Sequence, residues 1–274
     1  MCIRDSVLAR ATSDLRPLAG LSYEHVVGDI FDAPSIESAM RGADTVFHCA
    51  VDTRAWLTDP APLFRTNVEG LGVVLDAAAT VGVESFVFTS TMATIGRHPG
   101  RVVDESDEFN WHASATDYVR SRVAGEELAL RYAREERVPV VAMCVSNTYG
   151  AGDWQPTPHG SFVAAAALGK MPFGIRGMRA EAVDVDDAAR ALIAAADRGR
   201  TGERYIVSER FIDLGEVITT AAAAAGVAPP RPVLGKRSLY AAGAVGSLRA
   251  RLTGRSQRLR IDLSLIPISE TTRP

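Results

Sequence analysis

Short apolar runs alternate along the chain with longer stretches in which apolar residues recur at helical spacing. The apolar runs predict strands over residues 7–9, 25–30, 45–51, 85–90, 139–145 and 204–207. The helical spacing predicts helices over residues 34–42, 63–81, 117–136, 162–168, 186–197 and 214–226. Because strands and helices that alternate in this order form βαβ units, the pattern predicts an α/β fold with a doubly wound parallel sheet.

The residue pattern changes after Gly150, where a loop with two prolines is followed by an alanine-rich stretch with helical spacing. We therefore predict one larger domain over residues 7–150 and a smaller region over residues 151–261 that shares the last sheet elements. Residues 1–6 (MCIRDS) and 262–274 (DLSLIPISETTRP) resemble translated adaptor read-through. We expect both ends to be non-native, and irregular natural termini are the alternative.

Composition narrows the class of protein. The 274 residues are 47% hydrophobic and 23% charged, which is ordinary for a globular chain. A net charge of −3 gives no reason to expect nucleic acid or an anionic membrane as a partner. The sequence contains no run of about 18 apolar residues, so it predicts no membrane span. The three cysteines have neither paired nor metal-type spacing, which indicates a reducing compartment such as the cytoplasm.

Two hydroxyl residues and one cation form the strongest candidate site. Thr91 directly follows the predicted strand 85–90, at the carboxyl edge where parallel sheets bind ligands. Tyr118 opens the next long helix, and Arg122 lies one turn later on the same face. A neighbouring cation favours the phenolate, so we expect a lowered pKa for Tyr118. This set suits hydride transfer, in which the proton moves through tyrosine.

Here the sequence resembles a known family. FVFTSTMATIG at 86–96, followed by DYVRSR at 117–122, is similar to the Ser/Thr and Tyr-x-x-x-Lys motifs of extended short-chain dehydrogenases/reductases, the NAD-dependent epimerase/dehydratase proteins. Further segments fall in that family's order and most resemble the branch of hopanoid-associated sugar epimerases: VLARATSDLRPLAG, VVGDI, VFHCAV, DPAPLFRTNVEG, GDWQPTP, GKMP, VDVDDAARA and GERYIV. The resemblance implies a Rossmann domain with Thr91 and Tyr118 in the catalytic positions.

Two departures from the family pattern concern the cofactor. The family's lysine is Arg122 here, whose planar guanidinium keeps the charge but is not a compact ammonium. No Gly-x-x-Gly-x-x-Gly precedes Val7, although such a loop holds the pyrophosphate at a helix N-terminus. We therefore expect a sheet that lacks its first strand and a chain that binds cofactor weakly.

The remaining cofactor positions follow the ends of the other predicted strands. Arg10 stands where an acid would bind the ribose of NAD and a base would meet the 2′-phosphate of NADP, so NADP is favoured and NAD remains possible. Asp29 and Ile30 resemble the family's adenine contact, and a turn or helix-capping role is the alternative for Asp29. The full set of predicted cofactor contacts is Arg10, Asp29, Ile30, Ala50, Val51, Thr89, Tyr118, Arg122, Ser146, Asn147 and Thr148.

Several other polar residues are candidates for metal, cation or substrate sites, and most are better explained by structural roles. His48 and Cys49 lie on opposite faces of a buried strand, which makes a poor zinc site, and we predict no metal. Asp184 stands with two more acids where a helix begins, which favours capping over cation binding. Asn67 is expected to form structural hydrogen bonds. Trp154 and His159 are candidates for substrate contact.

The sequence thus predicts an NAD(P)-dependent oxidoreductase or epimerase that acts on a secondary alcohol or ketone of a small molecule, such as a sugar derivative. A reductase and an epimerase of this family would use the same residues, so the sequence does not distinguish between the two activities. A non-catalytic dinucleotide-binding or sensor protein of the same fold is the alternative, with Arg122 marking lost catalysis. A homodimer is possible.

Overall fold

The computed structural model describes residues 5–154 and 157–238. The strands are β1 (Ser6–Ala9), β2 (Glu24–Val27), β3 (Thr45–His48), β4 (Ser85–Thr91), β5 (Val140–Val145), β6 (Asn147–Tyr149), β7 (Gly174–Arg176), β8 (Arg179–Asp184), β9 (Arg204–Val207), β10 (Arg210–Asp213) and β11 (Val233–Gly235). The helices are α1 (Ala33–Met40), α2 (Ala61–Phe64), α3 (Leu71–Val81), α4 (Asp117–Arg134), α5 (Pro158–Ala167), α6 (Val185–Arg198) and α7 (Leu214–Ala224).

Four parallel strands form the central sheet, in the order β3-β4-β5-β9. The register aligns Thr91 with Val145, so the last residues of β4 and β5 are neighbours at the carboxyl edge. Strands β1 and β2 form a separate parallel pair. The predicted α/β fold with a parallel, Rossmann-like sheet is confirmed.

Strands β1 and β3 each have a partner strand on one side only within the described part of the chain. There β1 pairs only with β2, and β3 pairs only with β4. Phe47 on β3 is accordingly 45% exposed.

The core forms because β4 is apolar on both faces. Phe86 and Phe88 point into a cluster made with helices α3 and α4, where Leu75 and Ala129 are fully buried. Val87 points to the opposite face, toward β5, β8 and α6. A strand covered by helices on both faces reads as a continuous apolar run, which is why this element is predictable from sequence.

Five strands that the sequence analysis did not predict, β6, β7, β8, β10 and β11, form two further sheets. Strand β8 pairs in parallel with β6 and antiparallel with β10, and β7 pairs in parallel with β11. Four of these five strands have only three or four residues, too few to establish an alternating pattern. None of the helices in the described ranges is long and apolar enough to cross a membrane.

Candidate active site

The carboxyl edge of β4 positions the first candidate residue, Thr91. Its side-chain oxygen accepts a hydrogen bond from the backbone N–H of Ala93 at 3.3 Å and so caps a short 3₁₀ turn. Helix α4 begins beyond this turn because Thr116 caps it, accepting a bond from the Val119 N–H at 3.3 Å. Tyr118 therefore lies in the first turn of α4, half-buried beside Phe109 and Trp111.

Arg122 is buried between α4 and the end of β4. Its Nη2 donates to the carbonyl of Thr89, and its guanidinium carbon lies 5.2 Å from the centre of the Phe88 ring. Its buried Nε has no hydrogen-bond partner within the described residues. A buried donor without a partner carries a desolvation penalty, so this atom is available to a ligand.

The expected lowering of the Tyr118 pKa is wrong. Burial raises the pKa of the phenol above its ordinary value, and the charge of Arg122 offsets this only in part. Desolvation dominates because the phenol lies in a mainly apolar pocket while the guanidinium is itself buried. Tyr118 is consequently a protonated phenol at neutral pH.

Several predicted cofactor residues line up along one edge of the sheets. Arg10 follows β1, Ala50 and Val51 follow β3, and all three are exposed. Thr89 lies near the end of β4, where its hydroxyl is 3.3 Å from the Cys49 sulfur. These residues therefore lie at or just beyond strand ends, and their role as cofactor contacts stays a prediction.

Asp29 and Ile30 follow β2 and have structural roles in this arrangement. A carboxylate oxygen of Asp29 accepts a bond from the Phe31 N–H at 3.0 Å, and its carbonyl accepts one from Asp32, which forms a turn before α1. Ile30 packs against the core formed by α1 and α3. The turn assignment for Asp29 is thus realised, and an adenine contact remains a prediction.

Three polar residues follow β5. Ser146 is buried, and its hydroxyl has no hydrogen-bond partner among the described residues. Asn147 and Thr148 begin β6 and are half-buried, with the Thr148 hydroxyl donating to the Ser146 carbonyl at 3.3 Å. Ser146 therefore offers a second unsatisfied polar atom, next to the β5 residue that pairs with Thr91.

Asn67 has the structural role that the sequence analysis expected. Its amide accepts from the Asp52 N–H at 2.8 Å and donates to the Ser121 hydroxyl at 3.0 Å. It lies in a π-helical turn between α2 and α3, and such turns widen a helix locally. Gly125 permits the close packing of α4 here, since a Cβ atom would lie 2.6 Å from the Asn67 carbonyl oxygen.

The sequence analysis missed a buried charged residue, Glu126. It follows Arg122 by four residues and continues the line from Tyr118 along α4. Its carboxylate pairs with Arg204 of β9 at 3.0 Å and accepts hydrogen bonds from Ser90 and Thr94. The repeat of polar residues at positions 118, 122 and 126, four apart on one helix face, was the available signal.

The remaining polar candidates are accounted for by local structure. Burial, with the charge of Arg122, lowers the pKa of His48 to about 4, so its imidazole is neutral. Asp184 accepts from the Asp186 N–H at 2.8 Å and caps α6, as predicted. Within residues 5–154 and 157–238, no group of three His, Cys, Asp or Glu residues is arranged to hold a metal ion.

Of the two candidate substrate contacts, Trp154 lies in the loop before α5 and His159 lies in the first turn of α5. Trp154 is exposed, with the guanidinium carbon of Arg16 5.6 Å from its ring centre. The ring of His159 lies 6.2 Å from that of Tyr149, and burial lowers the pKa of His159.

A cleft of about 1050 Å³ opens beside Thr148 and Tyr149. Strands β6, β8 and β10 and helices α5 and α7 form its walls. The charged residues among its described lining are Asp153, Asp184, Glu209, Arg210, Asp213 and Glu216. The cleft is therefore strongly acidic.

A parallel α/β sheet of this kind, with Thr91 at the carboxyl end of β4 and Arg122 bonded to the same strand, defines a Rossmann-type fold. The model of the NAD dependent epimerase/dehydratase family matches residues 5–208 of the chain. The chain belongs to this family, as the resemblance of its motifs implied.

Known proteins of several activities are similar to it. A Synechocystis sp. protein with the provisional name dihydroflavonol 4-reductase is 30% identical over 229 residues, which cover 82% of this chain and 66% of that protein. Sterol demethylase protein B of Methylococcus capsulatus is 28% identical over 210 residues, covering 76% and 63% respectively. The chain thus spans somewhat less than two thirds of the length of these relatives.

Solved structures share the fold. The crystal structure of gox2253 has a TM-score of 0.80 and 32% identity, covering 95% of this chain and 79% of that one. The UDP-glucose 4-epimerase of Thermus thermophilus, in complex with NAD, has a TM-score of 0.72 and 26% identity, covering 84% and 77%.

Proposed function

We propose that the chain carries the catalytic residues of an NAD(P)-dependent oxidoreductase or epimerase that acts on a secondary alcohol or ketone of a small molecule. One observation carries the proposal. Thr91 ends β4, Tyr118 lies in the first turn of α4, and Arg122 donates to the Thr89 carbonyl while its buried Nε has no partner among the described residues. Family membership supports it.

The residues present fit a dinucleotide. Arg122 Nε can donate to a ribose hydroxyl, and the Ser146 hydroxyl can bond to a carboxamide or ribose group. Thr89, Ala50 and Val51 offer backbone and small side chains along the same edge. When bound, the nicotinamide supplies or accepts the hydride.

Tyr118 serves as the proton donor in ketone reduction. Burial raises its pKa, so the phenol holds its proton at neutral pH and can deliver it to the substrate oxygen. The charge of Arg122 stabilises the phenolate that this transfer leaves behind. The Thr91 hydroxyl holds the reacting oxygen in place.

The acidic cleft favours a neutral substrate. It begins at Thr148, three residues after Val145, which pairs with Thr91. Among its described charged residues, one guanidinium faces five carboxylates, which would repel a diphosphate. Carboxylates accept hydrogen bonds from hydroxyl groups. We therefore propose a neutral, hydroxyl-bearing substrate, such as a sugar derivative without a nucleotide.

A non-catalytic sensor is the second candidate. The observation in its favour is that Arg122 donates its Nη2 to the Thr89 carbonyl, where the family has a lysine. A guanidinium fixed to the backbone in this way is less free than an ammonium to follow the cofactor.

Turnover distinguishes these candidates. NADPH and NADH, at saturating concentration, are mixed with a panel of neutral open-chain and cyclic ketones, and with UDP-glucose as a separate arm. We expect oxidation of reduced cofactor with at least one neutral ketone and no inhibition by UDP-glucose. Cofactor binding without turnover in any arm would favour the sensor, and epimerisation of UDP-glucose would contradict the neutral substrate.

We further propose that NADP is preferred, because Arg10 is an exposed cation just beyond β1. Arg10→Ala should weaken NADP binding by about 10-fold and leave NAD binding within about 2-fold, since only the 2′-phosphate loses a charged partner. Calorimetric titration of both cofactors measures this, with the exposed Arg41→Ala as control. Equal losses for both cofactors would show that Arg10 does not contact the phosphate.

The compartment and the assembly are also proposals. Cys49 and Cys144, the cysteines within the described ranges, are both free thiols, which supports a reducing compartment such as the cytoplasm. A homodimer stays a prediction.

A further inference from the structure

A buried polar cluster lies directly beneath the candidate active site, on the side away from solvent. At its centre is Glu126 of α4, whose carboxylate is almost fully buried. One oxygen, Oε1, accepts from Arg204 Nη1 at 3.0 Å. The other, Oε2, accepts from the Ser90 hydroxyl and lies 2.8 Å from the Thr94 hydroxyl. The Cys144 thiol of β5 lies 3.4 Å from it.

The cluster is tied to the backbone on both sides of Thr91. Ser90 precedes Thr91 on β4, and Thr94 ends the 3₁₀ turn that Thr91 caps. The Thr94 hydroxyl is also 2.8 Å from the Thr91 carbonyl, so its one proton can serve either acceptor. Glu126 is therefore hydrogen-bonded on both sides of Thr91, to Ser90 and to Thr94.

The same helix face holds β4 a second time. Arg122, one turn before Glu126, donates to the Thr89 carbonyl. Arg122 and Glu126, on two consecutive turns of α4, are thus hydrogen-bonded to residues 89–94. Tyr118 lies one turn before Arg122 on the same helix. Tyr118 and Thr91 belong to separate elements, so the distance between them depends on these hydrogen bonds between α4 and residues 89–94.

We propose that Glu126 is the positioning residue that fixes the Thr91 hydroxyl relative to Tyr118, with Arg204 as its counter-charge. The proposal rests on the proposed function, which assigns the chemistry to these two side chains. Arg204 supplies the opposite charge at 3.0 Å, because burying one charged group without a partner carries a large free-energy cost. Its remaining donors bind the Glu105 carbonyl at 2.7 Å and the Asp107 carbonyl at 3.0 Å.

The test replaces the pair without leaving a buried charge unpaired. Glu126→Met/Arg204→Met removes the acceptor and both charges at similar volume, a change that often leaves stability intact. Glu126→Gln/Arg204→Met restores an amide oxygen as acceptor for Ser90 and Thr94. Glu127→Met is the matched control, since Glu127 is exposed on the next position of the helix.

Two measurements are made on the full chain. With the ketone that is reduced fastest, the double-methionine variant should lose about 10-fold to 100-fold in kcat with KM within about 2-fold, because positioning fails while substrate contacts remain. In Glu126→Gln/Arg204→Met, the logarithm of kcat should recover at least half of the decrease seen in the double-methionine variant. Hydrogen exchange of the Ala93 amide, which bonds to Thr91, should be about 10-fold faster in the double-methionine variant.

The outcomes separate this proposal from the proposed function. Parental kcat and parental exchange in the double-methionine variant would overturn the positioning role, as would a glutamine variant no better than the methionine one. Tyr118→Phe is assayed alongside. If it turns over as fast as the parent, the proposed function fails, and exchange at Ala93 alone decides whether Glu126 orders the Thr91 turn.

Discussion

Tyr118→Phe is expected to lower kcat by about 10²-fold or more, because it removes the only atom of this side chain that can deliver a proton. The ring remains, so its packing against the apolar cluster that contains Trp111 and Val123 and the affinity for cofactor should change little. Steady-state rates with a neutral ketone and NADPH measure the effect. Tyr132→Phe is the matched control, since it removes from the same helix a hydroxyl that donates to the exposed Asp76 at 2.8 Å.

The pH profile sharpens this expectation. Tyr118 must be protonated to act as an acid, and burial raises its pKa, so reduction should persist through neutral pH and decline only on the alkaline side. The charge of Arg122 lowers that pKa in part, and Arg122→Ala should therefore lower the rate and shift the alkaline limb to higher pH. Arg122→Lys should keep or raise activity. Parental rates in Tyr118→Phe would place the chemistry elsewhere.

The central strands β4 and β5 could be predicted from the sequence because they are buried on both faces. Runs such as those containing Phe86 and Val141 are continuous in apolar residues, and β4, β5 and β9 begin and end within one residue of the predicted bounds. Strands β8 and β10 were missed because charged residues interrupt them. Their stability comes from pairing with each other, which no local pattern records.

The site was predictable in its outline but not in its electrostatics. The positions of Thr91 and Tyr118 follow from where a strand ends and a helix begins, which the sequence encodes through capping. The direction of the Tyr118 pKa shift depends instead on how much apolar surface surrounds the phenol, a tertiary property. Glu126 was missed for a related reason, since its partner Arg204 lies 78 residues away.

The second large effect concerns the strand that carries the site. Phe86→Ala should reduce the free energy of unfolding by about 3–5 kcal/mol, because the ring is fully buried between α3 and α4 and its loss leaves a cavity. Phe211→Ala removes the same atoms from a side chain that is 47% exposed, and should cost less than about 1.5 kcal/mol. Urea denaturation of both variants against the parent gives the two values.

The comparison isolates burial, because the chemical change is identical at the two positions. The rings differ in what surrounds them: Phe86 lies in the main core, 6.0 Å from the His48 ring, whereas Phe211 lies on β10 at the acidic cleft. A lower midpoint with an unchanged denaturant slope in Phe86→Ala would identify loss of native stability alone. Equal losses in the two variants would mean that β4 is not the centre of the core, and that the carboxyl edge with Thr91 lacks the rigid support argued for it.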